Sequence, residues 1–564
     1  MQKKIALFIF LISFGLLNSQ SNYPTDYFVK PLEIPLVLSG TFGELRSNHF
    51  HAGLDIKTQQ RVGFNVVAAA DGYVSRIKVS HWGYGKALYI THPNGYTTVY
   101  GHLKNFSPKI EAYVKKYQYQ KKSFEVQLYP KSSELKVTQK EVIALSGNSG
   151  SSGGPHLHFE IRDAKATTIN PMLFGIKLPD HKKPTIQNAY TYTKNDTSQV
   201  NQSNKNVKLV LKRQPNGDLL ANKIYAYGDI GFGINAYDRL DGANNHNGLY
   251  ELEMDVNGKS IFQFTWDKFS FSESRYINSY IDYEKYSKQN QRVQKCFVNH
   301  PANNLSMYKT LIDKGFFNVK DSLDYQVTIT AKDFNGNKTN LIIPIQGKKD
   351  SIIIAKSIKK TPYYFKANQL NKINDSIIKV NFPKNIFYED LYFDYSYKDG
   401  AVKLHNSTVP IHNYFRLSFD VSKYSDDELK HMYIAKKNKH GKAYYVKTRR
   451  KDNTLYTSSK SLGEFVLKID KQKPVVSPFF KKDQILTKYK TLKVKIYDKS
   501  SGIKSYKGEI DGQWILMEYN PKKNILTYDF NDKVFEGTSH TLKVVVTDNV
   551  NNSTTFTTTF NKKF

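Results

Sequence analysis

The strongest constraint on the fold is an internal repeat made of short β-strand patterns separated by turn residues. Three stretches of one copy resemble three stretches of a second: 181–186 (HKKPTI) and 471–476 (KQKPVV), 234–261 and 494–515, and 325–345 and 541–560. In each copy an Asp-containing turn lies between strands, and a further strand, turn and strand close the unit. This pattern predicts two copies of one β-sandwich of the immunoglobulin-like type.

The length of the chain requires several domains. A single hydrophobic core stops growing at about 250–300 residues, and this chain has 564 residues. Between the two copies, residues 351–470 carry strand patterns of their own and predict a third sandwich. We therefore expect a mainly β protein, with a small antiparallel β domain over 21–180, an Ig-like sandwich over 181–350, a sandwich over 351–470 and an Ig-like sandwich over 471–564.

The small β domain alternates β-rich runs with turn signals such as Asp71-Gly72 and Asn94-Gly95, as antiparallel sheets do. Residues 109–139 interrupt the alternation with a charged, helix-like stretch. We interpret this stretch as an insertion that lies over one face of the domain.

The first twenty residues have the layout of a secretory signal peptide. Lys3 and Lys4 precede an apolar run from Ile5 to Leu17, which is too short to span a bilayer well. This predicts export to the periplasm or cell envelope, with no transmembrane segment after signal cleavage. Cys296 is the only cysteine, so the domains must be stabilised by their cores without an intrachain disulfide.

The net charge of +33 is spread nearly evenly along the chain. A nucleic-acid-binding protein normally gathers its basic residues into a stripe or patch, so we expect no nucleic-acid partner. A dispersed positive charge on an exported protein favours attraction to an anionic surface such as a cell envelope.

Two short motifs carry residues that suit metal chemistry. On a β-strand, His156 and His158 point to the same side, and His51 and Asp55 share a face because they are four residues apart. Either motif alone is more often an incidental polar pair than a site. Together they offer imidazole and carboxylate groups, and three such ligands leave the fourth position of a catalytic zinc open. By strand parity alone, His49 competes with His51 as a ligand.

The motifs FGELRSNHFHAGLDI, YGHL and SGNSGSSGGPHLHFEI occur in this order. They resemble the successive motifs of the lysostaphin-type (LytM-type) zinc endopeptidases, which cut peptide bonds in bacterial peptidoglycan. The resemblance covers about residues 35–175, under a third of the chain.

This resemblance implies a role for each of five residues. It implies one zinc ion per chain bound by His51, Asp55 and His158. It further implies that His102 and His156 stay off the metal and act in catalysis on the attacking water and the intermediate. The ordinary pKa of histidine, near 6.5, suits such proton transfer.

Other features have a structural interpretation. Residues 146–154 (SGNSGSSGG) lack the lysine of a phosphate-binding loop, so we interpret them as a turn that shapes a cleft. His81 and His92 have no partner by spacing and are expected at the surface.

The sequence thus favours an exported zinc metalloendopeptidase that hydrolyses peptide cross-links of peptidoglycan through a zinc-activated water. The alternative is a non-hydrolytic adaptor that binds the wall or activates another wall hydrolase. A third, weaker hypothesis is that the chain is a polyanion-binding β protein. Peptidoglycan peptides are the expected substrate, and the C-terminal β domains are expected to hold the enzyme at its substrate or at envelope protein partners.

Overall fold

The computed structural model of the protein describes residues 23–300 and 303–564. The predicted signal peptide, residues 1–20, lies outside the described residues. Strands dominate the described part, so the prediction of a mainly β protein is confirmed. None of the described helices is both long enough and apolar enough to cross a membrane. The α-helices are Pro108–Lys121, Ile277–Tyr280, Tyr283–Gln289 and Asp426–His431, and the 3-10 helices are Pro171–Phe174, Ser274–Tyr276, Ile312–Gly315 and Phe530–Asp532.

The N-terminal region, residues 23–179, is built around an antiparallel sheet. The strands along the main path of the sheet follow the order Leu38–Gly40, Leu54–Lys57, His156–Arg162, Thr97–Leu103, Lys86–Thr91, Gly72–Val79 and Val126–Leu128. The other strands of the region are Leu45–Arg46, His49–Phe50, Asn65–Val67, Asn105–Phe106, Lys136–Val137, Val142–Leu145 and Thr168–Ile169.

The predicted insertion, residues 109–139, supplies most of the helix Pro108–Lys121 and two short strands. Both strands pair with Gly72–Val79. The insertion therefore extends the edge of the sheet as well as adding a helix. Pro108 begins the helix, where a missing N–H costs nothing, and Lys122 ends it in a left-handed conformation.

Three adjacent strands of this sheet bring the candidate site together. In the central strand, His158 lies directly opposite Asp55 on one neighbouring strand and Gly101 on the other. Directly opposite residues of antiparallel strands project to the same face, so the register places Asp55 beside His158. A Cβ on Gly101 would lie 3.3 Å from the Cβ of His158. Glycine at this position leaves room for the imidazole ring.

The second region, residues 185–347, shares a hydrophobic core with the N-terminal region. Thr168–Ile169 pairs with Lys268–Phe269 across the two regions, and the Phe50 ring lies 5.6 Å from that of Phe269 and 6.2 Å from that of Tyr280. The domain boundary at residue 180 remains a prediction, and this shared core crosses it. The strands of the second region are Thr185–Thr193, Gln199–Val200, Val207–Lys208, Leu211–Arg213, Leu219–Ala221, Ile224–Tyr237, Glu251–Val256, Lys259–Thr265, Lys268–Phe269, Val293–Lys295, Tyr308–Leu311, Phe317–Val319, Asp324–Lys332 and Lys338–Gly347.

The third region, residues 363–469, has a core of its own between two five-stranded sheets. Its strands are Tyr363–Phe365, Asn371–Asn374, Ile378–Phe382, Leu391–Phe393, Tyr395–Lys398, Ala401–Leu404, Phe415–Asp420, Met432–Lys437, Ala443–Tyr445, Arg449–Lys451, Thr454–Ser459 and Gly463–Ile469.

The fourth region, residues 475–561, also encloses a separate core, between a four-stranded and a five-stranded sheet. Its strands are Val475–Pro478, Gln484–Ile485, Thr491–Tyr497, Ile503–Ile510, Gln513–Ile515, Met517–Asn520, Ile525–Asp529, Ser539–Asp548 and Ser553–Asn561.

The second and fourth regions repeat the same local hydrogen bonds, as expected of two copies of one unit. In one copy the Asn337 Nδ2 donates to Asp333 Oδ2 at 2.7 Å, and in the other the Asn552 Nδ2 donates to Asp548 Oδ2 at 2.7 Å. The immunoglobulin-like type of these units stays a prediction.

The fourth region packs against the N-terminal region. Lys86 Nζ forms an ion pair with Glu518 Oε2 at 3.0 Å, and the rings of Tyr119 and Trp514 meet edge to face at 5.2 Å. The two ends of the described chain therefore meet close to the candidate site.

Candidate metal centre

Three side chains from two neighbouring strands and the segment before them form the centre of the site. The His51 Nε2 lies 3.0 Å from Asp55 Oδ1 and 3.1 Å from His158 Nδ1, and the His158 Nδ1 lies 2.9 Å from Asp55 Oδ1. All three residues are at most 4 % exposed. The structure thus brings together the three residues that the sequence analysis assigned to the metal.

Hydrogen bonds fix which atom of each imidazole faces this centre. The carbonyl of Thr41 lies 2.7 Å from His51 Nδ1 and accepts its proton, so Nε2 faces inward. Glu160 Oε1 lies 2.8 Å from His158 Nε2, so the Nδ1 of His158 faces inward. Partners of this kind set the tautomer and orientation of metal-binding histidines.

The carboxylate of Asp55 divides its two oxygens between different partners. Arg46 Nη2 donates to Oδ2 at 2.7 Å, which leaves Oδ1 facing the histidines. Burial by itself raises the pKa of this carboxyl, but the charge of His51 and hydrogen bonds from the surrounding imidazoles hold the pKa well below its usual 3.8. Asp55 is therefore a carboxylate, the form that binds metals.

The spacing of these atoms fits zinc. Ligand atoms at about 2.0–2.1 Å from a tetrahedral zinc lie roughly 3.3–3.4 Å from one another. The three facing atoms lie 2.9–3.1 Å apart, and two nitrogens with one carboxylate oxygen are a ligand set of catalytic zinc sites.

The two histidines predicted to be catalytic lie together at the edge of this centre. Their rings are 4.7 Å apart, and His156 Nε2 lies 3.4 Å from Asp55 Oδ1. The His156 Nδ1 donates to the carbonyl of Gly154 at 2.8 Å, and the His102 Nδ1 donates to the carbonyl of Ser149 at 2.9 Å. Each ring therefore turns its Nε2 away from the loop carbonyl that its Nδ1 contacts.

His102 reaches the site through an unusual backbone conformation. Gly101 faces the same side as His158, so regular alternation would point His102 to the opposite side. The residue instead has φ of 59°, in the left-handed region, and its ring lies 5.9 Å from that of His158. Such conformations cost about 1–3 kcal/mol and cluster at functional sites.

His102 stays neutral near pH 7. Burial lowers the pKa of its imidazole most, and the charges of His158 and His156 lower it further, to about 3. The ring is then a hydrogen-bond acceptor at Nε2 and takes up a proton only when the chemistry beside it supplies one.

A buried ion pair supports the centre and was missed from the sequence. Glu160 is fully buried and accepts hydrogen bonds from His158 Nε2 (2.8 Å), from Arg162 Nε (2.6 Å) and from the hydroxyl of Tyr84. Although burial raises the pKa of Glu160, Arg162 and His158 bring it down to about 2. A usable signal existed, since Glu160 is two residues from His158 on the same strand face.

A lysine from the fourth region reaches the loop beside His102 and His156. This glycine-rich loop, residues 146–154, provides the carbonyls that orient His102 and His156, as expected of a turn that shapes a cleft. Lys522 Nζ donates to the carbonyl of Asn148 at 3.1 Å and to that of Ser152 in the same loop. No sequence pattern links residues so far apart.

The remaining histidines lie outside the centre. His49 is exposed and its Nδ1 donates to the carbonyl of Ser47 at 2.8 Å, so it does not compete with His51. The expectation that His92 lies at the surface is wrong. It is buried, because the Asp71 carbonyl and the Thr98 hydroxyl satisfy both ring nitrogens at 2.8 Å.

His81 is also more enclosed than expected. Its ring stacks on Phe124 at 5.1 Å and meets Tyr519 of the fourth region at 5.5 Å. This histidine belongs to the contact between the two ends of the chain.

Comparison with known families agrees with this geometry. Residues 49–120 match the model described as peptidase family M23, and residues 362–470 match that of a Zu5-like domain. The DD-carboxypeptidase/endopeptidase Mpg of Neisseria meningitidis serogroup B is 32 % identical over 136 residues, which cover 24 % of this chain and 25 % of Mpg. An uncharacterized metalloprotease of Haemophilus influenzae is 35 % identical over 129 residues, 23 % of this chain and 21 % of that protein.

Solved structures with partial similarity include two peptidases. The catalytic domain of lysostaphin from Staphylococcus simulans has 21 % identity and a TM-score of 0.18, covering 24 % of this chain and 90 % of that domain. A zinc-containing peptidase from Vibrio cholerae has 24 % identity and a TM-score of 0.20, covering 28 % of this chain and 40 % of that one. This chain spans about a quarter of the length of the curated relatives that it matches.

Proposed function

Because this chain carries a peptidase domain of the LytM-type M23 family, we propose that the protein is an exported zinc metalloendopeptidase that hydrolyses peptide cross-links of bacterial peptidoglycan. One observation carries the proposal. His51, Asp55 and His158 present three ligand atoms within 3.1 Å of one another, and two further imidazoles stand beside them with Nδ1 held by loop carbonyls.

A zinc ion held by His51, Asp55 and His158 supplies a Lewis acid that makes water acidic near neutral pH and polarises a peptide carbonyl. His156 Nε2 and His102 Nε2 lie on the open side of this group. They are placed to accept a proton from water and to stabilise charge that develops on the carbonyl oxygen. The loop carbonyls of Gly154 and Ser149 hold both rings in the tautomer that this role requires.

The remaining regions support a role in localisation. The positive charge of the chain, +33 overall, favours encounter with an anionic envelope. We propose that the regions after residue 180 hold the enzyme at peptidoglycan or at envelope proteins.

Cleavage of defined cross-linked muropeptides by the full-length protein tests the function. We expect mass spectrometry to show hydrolysis of a peptide bond, loss of hydrolysis after chelation and recovery with zinc. His51→Ala and Asp55→Ala are expected to lose both zinc and activity, whereas His49→Ala, an exposed neighbour, is expected to keep both.

The same experiment separates the enzyme from the non-hydrolytic adaptor. A folded, zinc-loaded protein that binds muropeptides without cutting any peptide bond would support the adaptor and contradict the proposal. Full zinc content in both His51→Ala and Asp55→Ala would show that the ligand assignment is wrong.

A further inference from the structure

Two clusters of three aspartates occupy equivalent positions in the two repeated regions and share no residue with the metal centre. Within each cluster, one carboxylate oxygen of every member lies within 4.8 Å of those of the other two. In each cluster the first aspartate along the chain precedes the repeat. The second follows the strand that leads into the first Asp-containing turn, and the third begins the last turn. The clusters are Asp180, Asp238 and Asp333 in the second region, and Asp470, Asp498 and Asp548 in the fourth.

The partners of these carboxylates are mostly backbone and side-chain N–H groups and not cations. Asp333 accepts from the Asn337 backbone and side chain, and Asp548 accepts in the same way from Asn552. Among the described residues, no lysine, arginine or histidine forms a salt bridge with any of the six carboxylates. Buried carboxylates in this arrangement repel one another, and either a bound proton or a shared cation relieves the repulsion.

Unpaired buried polar atoms beside each cluster indicate a missing partner. Asp238 is 3 % exposed, and its Oδ1 has no hydrogen-bond partner among the residues that the structure describes. Asn247 is 2 % exposed, and within the same residues both polar atoms of its side chain are unpaired. Asn247 and Asp238 exchange both backbone hydrogen bonds, at 2.9 and 3.0 Å, so their side chains project to the same face.

The fourth region has a counterpart to this unpaired group. Ser501 is 1 % exposed, its Oγ has no partner, and its backbone N–H donates to Asp470 Oδ2 at 3.0 Å. Buried polar atoms are nearly always satisfied in native proteins, so an unpaired oxygen at each cluster, Asp238 Oδ1 in the first and Ser501 Oγ in the second, points to a missing ligand.

There is space for such a ligand at the first cluster. A cavity of about 20 Å³ beside the cluster is lined by Asp180 and Asp238, together with Asn335 and several apolar side chains, while the third aspartate, Asp333, lies outside its lining. A volume of this size holds one water-sized particle, which is also the scale of a single cation.

We propose that each three-aspartate cluster binds one calcium ion, and that the ion fastens the segment preceding each repeat to the repeat itself. The donors are carboxylate, amide and hydroxyl oxygens, which hard cations prefer, and soft or imidazole ligands are absent from both clusters. Calcium is favoured over magnesium because the three carboxylate oxygens are up to 4.8 Å apart, and calcium accepts such irregular spacing whereas magnesium requires near-ideal octahedral geometry.

The position of the clusters gives the ion a structural task. Asp180 lies between the N-terminal and second regions, and its carbonyl accepts from Asn337 Nδ2 at 3.1 Å. Asp470 lies between the third and fourth regions, and its carbonyl accepts from Asn552 Nδ2 at 2.8 Å. An ion at each cluster therefore stiffens a junction between regions and fixes how neighbouring regions are oriented.

Calcium titration of the full-length protein, freed of metal and then given one equivalent of zinc, tests the proposal. We expect calorimetry to give two calcium ions per chain and calcium to raise the unfolding temperature, because a ligand of the folded state stabilises it. Asp238→Asn and Asp498→Asn should each remove one ion and leave the zinc content unchanged. Asp241→Asn, an exposed aspartate near the first cluster, serves as the matched control and should bind both ions.

The unfolding temperatures of the variants provide a second readout. Without calcium, at about pH 9, Asp238→Asn should unfold at a higher temperature than the unsubstituted protein, because burial and Asp180 raise the pKa of Asp238 to about 8 and its charge repels the other two carboxylates only above that pH. With calcium the order should reverse. Absence of calcium binding, or two ions still bound by the Asp238→Asn and Asp498→Asn double variant, would overturn the proposal, and neither result bears on the peptidase site.

Discussion

Glu160→Gln tests whether the metal centre depends on a carboxylate that never touches the metal. Glu160 Oε1 accepts the Nε2 proton of His158 at 2.8 Å, and Arg162 Nε donates to the other oxygen at 2.6 Å. A hydrogen bond to a charged group contributes about 1.5–3 kcal/mol. Glutamine has the size of glutamate but carries no charge. Its amide N–H₂ would face either His158 Nε2 or Arg162 Nε, both of which now donate hydrogen bonds to Glu160.

The expected loss of zinc affinity is about 10–100-fold, the usual effect of removing such a supporting carboxylate. This corresponds to roughly 1.4–2.7 kcal/mol, in agreement with one lost charge-assisted hydrogen bond. Competition between zinc and a proton on His158 makes the measured loss of zinc affinity smaller. Burial lowers the pKa of His158, but Asp55 and Glu160 raise it to about 9 in the metal-free protein, so zinc must displace a proton at neutral pH.

Glu160 strengthens the binding of both the proton and the metal to His158. The difference in zinc affinity between Glu160→Gln and the unsubstituted protein should therefore be largest above pH 9 and become smaller toward pH 7. Zinc competition with a chromophoric chelator across this range measures it. Tyr84→Phe removes only one hydroxyl from the same oxygen and should show a smaller loss. Equal zinc affinity of Glu160→Gln and the unsubstituted protein at high pH would refute the reasoning.

Three further predictions concern other parts of the molecule. His102→Ala and His156→Ala should keep zinc and lose about 10²–10⁴-fold in turnover, and near-normal rates in both would contradict their catalytic role. Lys522→Met should lower turnover by at most about tenfold, because exposed hydrogen bonds contribute about 0.5–1.5 kcal/mol, while the adjacent exposed Lys523→Met should not; equal rates would show that the loop needs no support. Burial lowers the pKa of Lys436 from 10.5 to about 8. Between about pH 8 and pH 10.5 the unfolded chain therefore binds more protons than the folded protein, so the free energy of unfolding should rise with pH in this range. Chemical denaturation of Lys436→Met should show no such rise.

The sequence predicted the residues of the candidate site better than it predicted the residues that hold them in place. The spacing of His51 and Asp55, with the alternation of His156 and His158, depends only on strand geometry, and the structure brings these residues together. His102 could not be placed by alternation, because its backbone has φ of 59° and turns the side chain across the strand. Only the family motif pointed to it.

Buried polar partners that come from elsewhere in the fold escaped the sequence. His92 has no partner by spacing, yet Asp71 and Thr98 meet it through the pairing of strands. Likewise, the repeat of strands and turns was visible in the sequence, but the three aspartates of each cluster meet only when the turns of one region close on the segment before it.

The shared contacts make the peptidase site a property of the whole chain. The N-terminal region buries Phe50 against Phe269 and Tyr280 of the second region, so a piece ending at residue 180 would expose apolar surface that the full chain covers. The same piece would lack Lys522, which holds the loop beside His102. Since that loop orients the catalytic imidazoles through its carbonyls, a change in the position of the fourth region alters their geometry directly. A ligand that moved the fourth region would therefore act on these imidazoles through Lys522 and the loop.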